Sequence, residues 1–409
     1  MIQIDKKIRQ AILLLLSTGL SMICLLIANF YLVRIVDPIV FGNFYFILNI
    51  YTFLQTILNF GFYQSIGRLA ALSKNRFEEQ RLYGIGLLIS TLLYLLLLII
   101  LFIYISFSSI VFDRNLELAL VWTMPVGWIY LLLSFNELYF QGCNNINLLS
   151  VLRFCPKFLF LLVIIIVYIT QFELSLESLL ILYFLSFSCI LLLLVFKIRP
   201  KLTYIKSELF RVLLANRSFG FNIYLGALVA VGVGNLSGVL IGYFDVDNTS
   251  VGFYNIALQF TVPLALIPNI LATVFFKEFV RADKIRTKLI LITSIATFGG
   301  LVFILLIIKY IILFVYGDAY LPAVSLTYLL SIGTILYGLS DFFNRFLLSK
   351  GKGKELRNIS IVVGVVLLIA NIILIYNYGA KGAAFSKIVA GLFYLGIVVV
   401  IYKKIVKSN

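Results

Sequence analysis

Apolar residues come in long, nearly unbroken runs, and the polar residues collect in the short stretches between them. About 20 apolar residues in helical conformation cross a hydrocarbon core of about 30 Å. By that ruler the chain divides into twelve spans, at residues 11–36, 42–66, 84–107, 118–142, 151–170, 176–196, 219–243, 252–277, 288–316, 321–349, 357–377 and 382–402. Composition agrees. With 62% apolar residues, 12% charged residues and a mean hydropathy of +1.10, the chain has too little polar surface to cover a water-soluble globule. The expected fold is an all-α integral membrane protein. The first ten residues, MIQIDKKIRQ, lead into the first span with no small-residue cleavage site, which reads as a retained helix and not a signal peptide.

The connections sort the spans into two sets of six. The longest, KIRPKLTYIKSELFRVLLANR at 197–217, interleaves Lys and Arg with Leu, Ile and Phe at helical spacing, the pattern of a helix lying among headgroups. It is expected to link an N-terminal lobe, 1–196, to a C-terminal lobe, 218–409. A weak internal repeat agrees with that division. FGNFYFI at 41–47 resembles VGFYNIA at 251–257, and at nearly the same offset Gln141-Gly142 aligns with Lys350-Gly351. Because six is even, the lobes share orientation and are expected to be related by a pseudo-two-fold axis along the membrane normal. Transporters built in this way hold their substrate between the lobes.

Charge sets the orientation. Most of the 33 Lys and Arg fall in the N-terminal segment, the even-numbered connections and the C-terminus, whereas the odd-numbered connections hold Arg114 and Lys381. Basic connections stay on the cytoplasmic side, so both termini are expected there. The net charge of +16 follows from this topology and needs no nucleic-acid partner, because no soluble basic face carries it. Cys24, Cys143, Cys155 and Cys189 lie in or beside apolar runs and histidine is absent, so neither a metal centre nor a disulfide framework nor a cofactor is expected. The outward connections are short, the longest at 108–117, and leave no folded segment in which an external enzyme site could be built.

Ionisable residues at membrane depth are costly and mark functional positions. Arg34, Lys309, Arg345 and Lys387 fall inside the spans, as do Glu137 and Asp341. Span ten follows a turn at Tyr316-Gly317-Asp318 and has Pro322 in its first turn, where the missing N–H costs nothing. It carries Thr334, Tyr337, Asp341 and Arg345 on one face. Span four carries Tyr130, Ser134, Glu137 and Gln141 in the same manner, and span two carries Tyr45, Asn49, Thr52, Thr56, Asn59 and Tyr63. Two readings fit these stripes: they line a hydrated cavity with the hydrogen-bonding and aromatic groups a sugar prefers, or they bond helix to helix. Facing inward, Arg345 on the cytoplasmic side and Arg34, Lys309 and Lys387 on the outer side form two positive stations for a diphosphate; facing outward, they snorkel. With no histidine, coupling to H+ or Na+ falls to a carboxylate. Glu137 comes first, because Asp341 has Arg345 one turn on to hold it ionised. Gly234, Gly238 and Gly242 suggest a close-packing ridge in span seven, and Pro263 and Pro268 suggest a kink in span eight.

Four passages resemble a known family. They are LVRIVDPIVFGNFYFILNIYTFLQTILNFGFYQSIGR at 32–68, VGFYNIALQFTVPLALIPNILATVFFKEF at 251–279, the Tyr-Gly-x-x-Tyr turn and glycine-lysine segment within 313–354, and YNYGAKGAAFSKIVAG at 376–391. The chain resembles the O-antigen flippases, the Wzx-type members of the multidrug/oligosaccharidyl-lipid/polysaccharide exporter superfamily. It departs from common members at the start of span seven, where NRSFGFNIYL lacks a proline. The resemblance implies a MATE-like pair of six-helix lobes around a cavity that opens alternately to each side. It also implies a cargo, an undecaprenyl-diphosphate-linked oligosaccharide, moved from the cytoplasmic to the periplasmic leaflet of the bacterial inner membrane. Membrane lipids, a polysaccharide polymerase and chain-length machinery would be its partners. Of the family's ligand residues, Arg34 alone is carried over, in its turn motif.

Three other functions compete. A multidrug or cation antiporter of the same superfamily would leave surface glycan intact. A flippase for a lipid-linked peptidoglycan precursor usually resembles a fourteen-span chain. An integral-membrane glycan polymerase or ligase would need the outward segment that is missing here.

Overall fold

The computed structural model describes residues 2–108, 114–228, 233–245 and 248–408, and they are helical almost throughout. Backbone packing divides the chain into two units, Met1–Ala227 and Leu228–Asn409. Eight helices among the described residues are by themselves long and apolar enough to cross a bilayer, and a bent pair adds a ninth crossing. The twelve-span layout is completed by the two arms of the last helix, which part at Gly379, and by the shorter apolar segments Leu16–Leu32 and Val233–Phe244.

In the first unit α1 (Ile2–Leu32) is followed by α2 (Pro38–Leu58), whose proline sits in the opening turn. Span two is not one helix. The chain breaks at Phe60 and Gly61, both with positive φ, and resumes as α3 (Phe62–Ala71). A Cβ on Gly61, at φ +84°, would lie 2.4 Å from the Gly220 carbonyl carbon, so two backbones meet there because neither residue has a side chain. After α4 (Arg76–Ser108), span four is also broken: α5 (Arg114–Thr123) and α6 (Trp128–Gly142) meet at 53°. Pro125 lies at that bend and supplies no N–H to continue the helix. Residues 109–113 of the expected long outward connection lie outside the described residues. Asn145 caps α7 (Ile146–Thr170), accepting the Leu148 N–H, and Ser175 caps α8 (Leu176–Ile198) through the Ser178 N–H.

The connection after α8 packs with this unit. Its helix, α9 (Ile205–Ala215), turns its charged side inward: Glu208 is buried against Arg81 and Arg211, and Arg211 also pairs with Glu78 at 2.6 Å. Phe210, Leu213 and Leu214 face out, as a helix resting against headgroups requires. A π turn at Asn216–Gly220 then leads into α10 (Phe221–Ala227). The Asn216 amide donates to the Phe60 carbonyl at 3.1 Å, and the Tyr224 hydroxyl to the Ile57 carbonyl at 2.6 Å.

The second unit runs through α11 (Val233–Phe244), α12 (Thr249–Val274), α13 (Phe276–Arg281), α14 (Thr287–Tyr316), α15 (Pro322–Ser349) and α16 (Gly353–Ser408). α12 stays one element through Pro263 and Pro268. In α11, Gly238 and Gly242 are buried, but Gly234 has nothing within 4 Å of where a Cβ would stand. Phe279, Phe342, Phe346, Leu347 and Ile359 form the core where α13, α15 and α16 meet.

Candidate functional site

The strongest polar cluster lies in the first unit, where α1, α6 and α7 come together. α7 presents Arg153 and Lys157 one turn apart. Arg153 forms an ion pair with Glu137 of α6 and donates to the Thr18 hydroxyl at 3.2 Å, while Lys157 donates to the Ser21 hydroxyl at 3.4 Å. Thr18 and Ser21 are themselves one turn apart on α1. These residues line a cavity of 300 Å³ together with Leu133, Leu152 and Phe187. Between the two cations in the sequence stands Pro156, which has no N–H to offer the Leu152 carbonyl. The cavity thus holds two cations, one carboxylate and two hydroxyls. Arg153 and Glu137 keep 29% and 42% of their side-chain surface exposed, so the pair can be reached.

An aromatic and amide layer accompanies the cluster. Tyr51 stacks on Tyr130 with centroids 5.6 Å apart and donates to Thr123 at 2.9 Å. The Gln55 amide bonds Ser134 across α2 and α6, and Asn29 donates to the Tyr45 hydroxyl at 2.8 Å. Of the expected glycan contacts in this unit, Tyr45 and Tyr130 are therefore buried between helices, Asn59 caps the break in span two through the Tyr63 N–H, and Gln141 is exposed. Asn49 keeps a buried amide nitrogen with no hydrogen-bond partner among the described residues.

The second unit has its own cluster between α15 and α16. Asp341 accepts the Tyr394 hydroxyl hydrogen at 2.8 Å, and the Asn344 amide donates to the same hydroxyl at 2.6 Å. The ring of Tyr337 packs edge-on against Tyr394 at 5.6 Å, its own hydroxyl buried without a hydrogen-bond partner among the described residues. One turn earlier on α15, Thr334 accepts from the Lys387 ammonium at 2.9 Å. A Cβ on Gly333 would stand 3.0 Å from the Lys387 side chain, so the small residue lets α16 approach.

The structure thus joins Lys387 to Thr334 and Asp341 to Tyr394. It does not form the expected pair of Asp341 with Arg345, whose side chain is exposed; among the described residues neither takes part in an ion pair. A cation one turn away on the same helix can point off the stripe, and this one does. The ion-paired acid is instead Glu137, the reverse of the expected order. Lys309 is exposed as well, and Arg34 is exposed with its guanidinium over the Phe30 ring at 3.5 Å. Sequence reasoning missed Arg153 and Lys157 as site residues, although span five as bounded at 151–170 contains both. The helix begins earlier still, at Ile146 behind the Asn145 cap, which sets both cations well inside it.

Apolar helices of this length and number, in two units, define a multi-pass membrane protein. A family model described as polysaccharide biosynthesis protein matches residues 8–277, and the chain belongs to that family. No curated protein matches significantly. Three similar solved structures share the fold. The lipid II flippase MurJ, in an inward closed conformation, is 14% identical with a TM-score of 0.73, over 96% of this chain and 87% of that one. An inward-facing multidrug resistance MATE family transporter of the MOP superfamily is 14% identical with a TM-score of 0.70, over 95% and 96%. The MATE multidrug transporter DinF-BH is 14% identical with a TM-score of 0.64, over 96% and 95%. Family and fold agree: the chain is a member of the polysaccharide biosynthesis family whose fold is shared with solved flippase and exporter structures.

Proposed function

We propose that the protein flips an undecaprenyl-diphosphate-linked oligosaccharide, the repeat unit of O-antigen or another surface polysaccharide, from the cytoplasmic to the periplasmic leaflet of a bacterial inner membrane by alternating access. The observation that carries this reading is the pair Arg153 and Lys157, one turn apart on a reachable cavity wall with the Thr18 and Ser21 hydroxyls beside them. Two cations against one carboxylate leave a net positive site. Guanidinium and ammonium donors suit the oxygens of a diphosphate, and the hydroxyls suit the first sugar. The same balance disfavours a cationic drug as cargo at this site. Asp341, held by Tyr394 with no cation paired to it, is the better placed carboxylate for coupling to H+ or Na+. Lys387 would form a second positive station in its own unit.

Deleting the gene in its native host tests the reading. Surface polysaccharide is lost and lipid-linked repeat units accumulate on the inner leaflet. Normal surface polysaccharide with raised sensitivity to cationic dyes would overturn it in favour of a multidrug antiporter.

A further inference from the structure

A second polar cavity, of 640 Å³, opens on the lysine- and arginine-rich face of the first unit, where α4 and α7 begin and α8 ends. Lys74, Arg76 and Lys197 stand around it, all exposed. Among the described residues none of the three forms an ion pair. The acids nearby are occupied or few. Glu78 accepts from the Lys74 N–H at 3.0 Å and pairs with Arg211, and Glu79, the carboxylate lining the cavity, accepts from the Ser73 hydroxyl at 3.4 Å. Three cations against one carboxylate leave a surplus of positive charge over a wall that includes Tyr139 and Cys143. Water screens exposed like charges, but cations gathered round one opening still raise a positive potential that attracts an anion. A cavity of this volume takes a whole headgroup and not a bare ion, since ligand sites typically run from about 300 to 1,000 Å³.

We infer that this cavity binds a phosphate-ester headgroup, separately from the Arg153 site, with Lys74, Arg76 and Lys197 as its ligands. The ester can come from an anionic phospholipid of the bilayer or from a water-borne sugar or glycerol phosphate, and both offer the same oxygens. At the membrane surface each such cation contributes about a fivefold preference for an anionic headgroup.

Cys143 reports on occupancy. In a variant with Cys24, Cys155 and Cys189 replaced by serine, alkylation of Cys143 by N-ethylmaleimide is timed in nanodiscs of phosphatidylcholine and of equal parts phosphatidylcholine and phosphatidylglycerol. We expect phosphatidylglycerol to slow the reaction fivefold or more, and the slowing to vanish when Lys74, Arg76 and Lys197 are changed to Gln but to persist in Arg153→Gln. Protection by phosphatidylglycerol but not by added glycerol 3-phosphate assigns a bilayer lipid, and protection by glycerol 3-phosphate in pure phosphatidylcholine assigns a water-borne ester. Equal rates with and without either compound overturn the inference, and that comparison needs none of the lysine or arginine variants to fold. Protection that survives loss of all three cations overturns it too.

Discussion

Arg153→Gln separates cargo recognition from structural pairing, because Glu137 is the natural counter-ion for a merely structural arginine. Truncating the guanidinium removes the ion pair to Glu137 and the bond to Thr18. Both partners of the pair are partly exposed, so the loss of stability is set near the surface value and not the buried one, about 1 kcal/mol. Transport should fall much further. A guanidinium that donates two charge-assisted bonds to a diphosphate, each contributing about 1.5–3 kcal/mol, leaves a deficit of at least about 3 kcal/mol, on the order of a hundredfold in transport. The double variant Glu137→Gln with Arg153→Gln then decides between the roles. With no orphaned carboxylate it should melt within about 0.5 kcal/mol of wild type, yet flip no better than the single variant. The assay is delivery of a radiolabelled lipid-linked oligosaccharide across proteoliposomes, with thermal unfolding of the same preparations measured in parallel. If the double variant transports like wild type, Arg153 does no more than neutralise Glu137 and the assignment of the diphosphate site is wrong.

Other expectations can be checked with the same preparations. Asp341→Asn should abolish the dependence of transport on a proton or sodium gradient while leaving downhill exchange intact, and unchanged gradient dependence would remove Asp341 from the coupling step. Lys387→Met fills a similar volume and removes an ammonium that has a hydroxyl but no acid beside it, so the melting temperature should hold or rise, by about 1 kcal/mol in stability, while transport drops; a lower melting temperature would contradict this. Gly61→Ala should destabilise the first unit by about 3 kcal/mol, because its φ of +84° is unfavourable for alanine and the new methyl meets the Gly220 backbone, and wild-type melting would show that the two backbones can part.

The apolar runs made the helices legible because a bilayer imposes length and composition on every crossing. Turn chemistry was legible where it was local, as at Pro322 in the first turn of span ten. What local pattern does not encode is the direction in which a cation inside a span points. Arg345 and Lys387 looked alike on paper, yet the first is exposed and the second rests on Thr334, because Gly333 lets one helix come close to the other. The break at Gly61 was hidden for a similar reason: its partner, Gly220, lies far along the chain, and the close approach of the two backbones appears only in the folded chain. Arg153 and Lys157 fall within span five as drawn, 151–170, but only tertiary packing brings them onto one wall with Thr18, Ser21 and Glu137.

The salt link on the cavity wall has a kinetic meaning as well. If the site takes a diphosphate, as proposed, the arriving anion does not meet a bare guanidinium; it must evict a tethered carboxylate that stays in the neighbourhood. Capture is therefore an exchange of one anion for another, weaker than the guanidinium alone would allow, and departure is helped by the returning acid. A carrier that moves a polyanion must surrender it on the far side, and an internal rival for the same donors keeps the grip from becoming a trap.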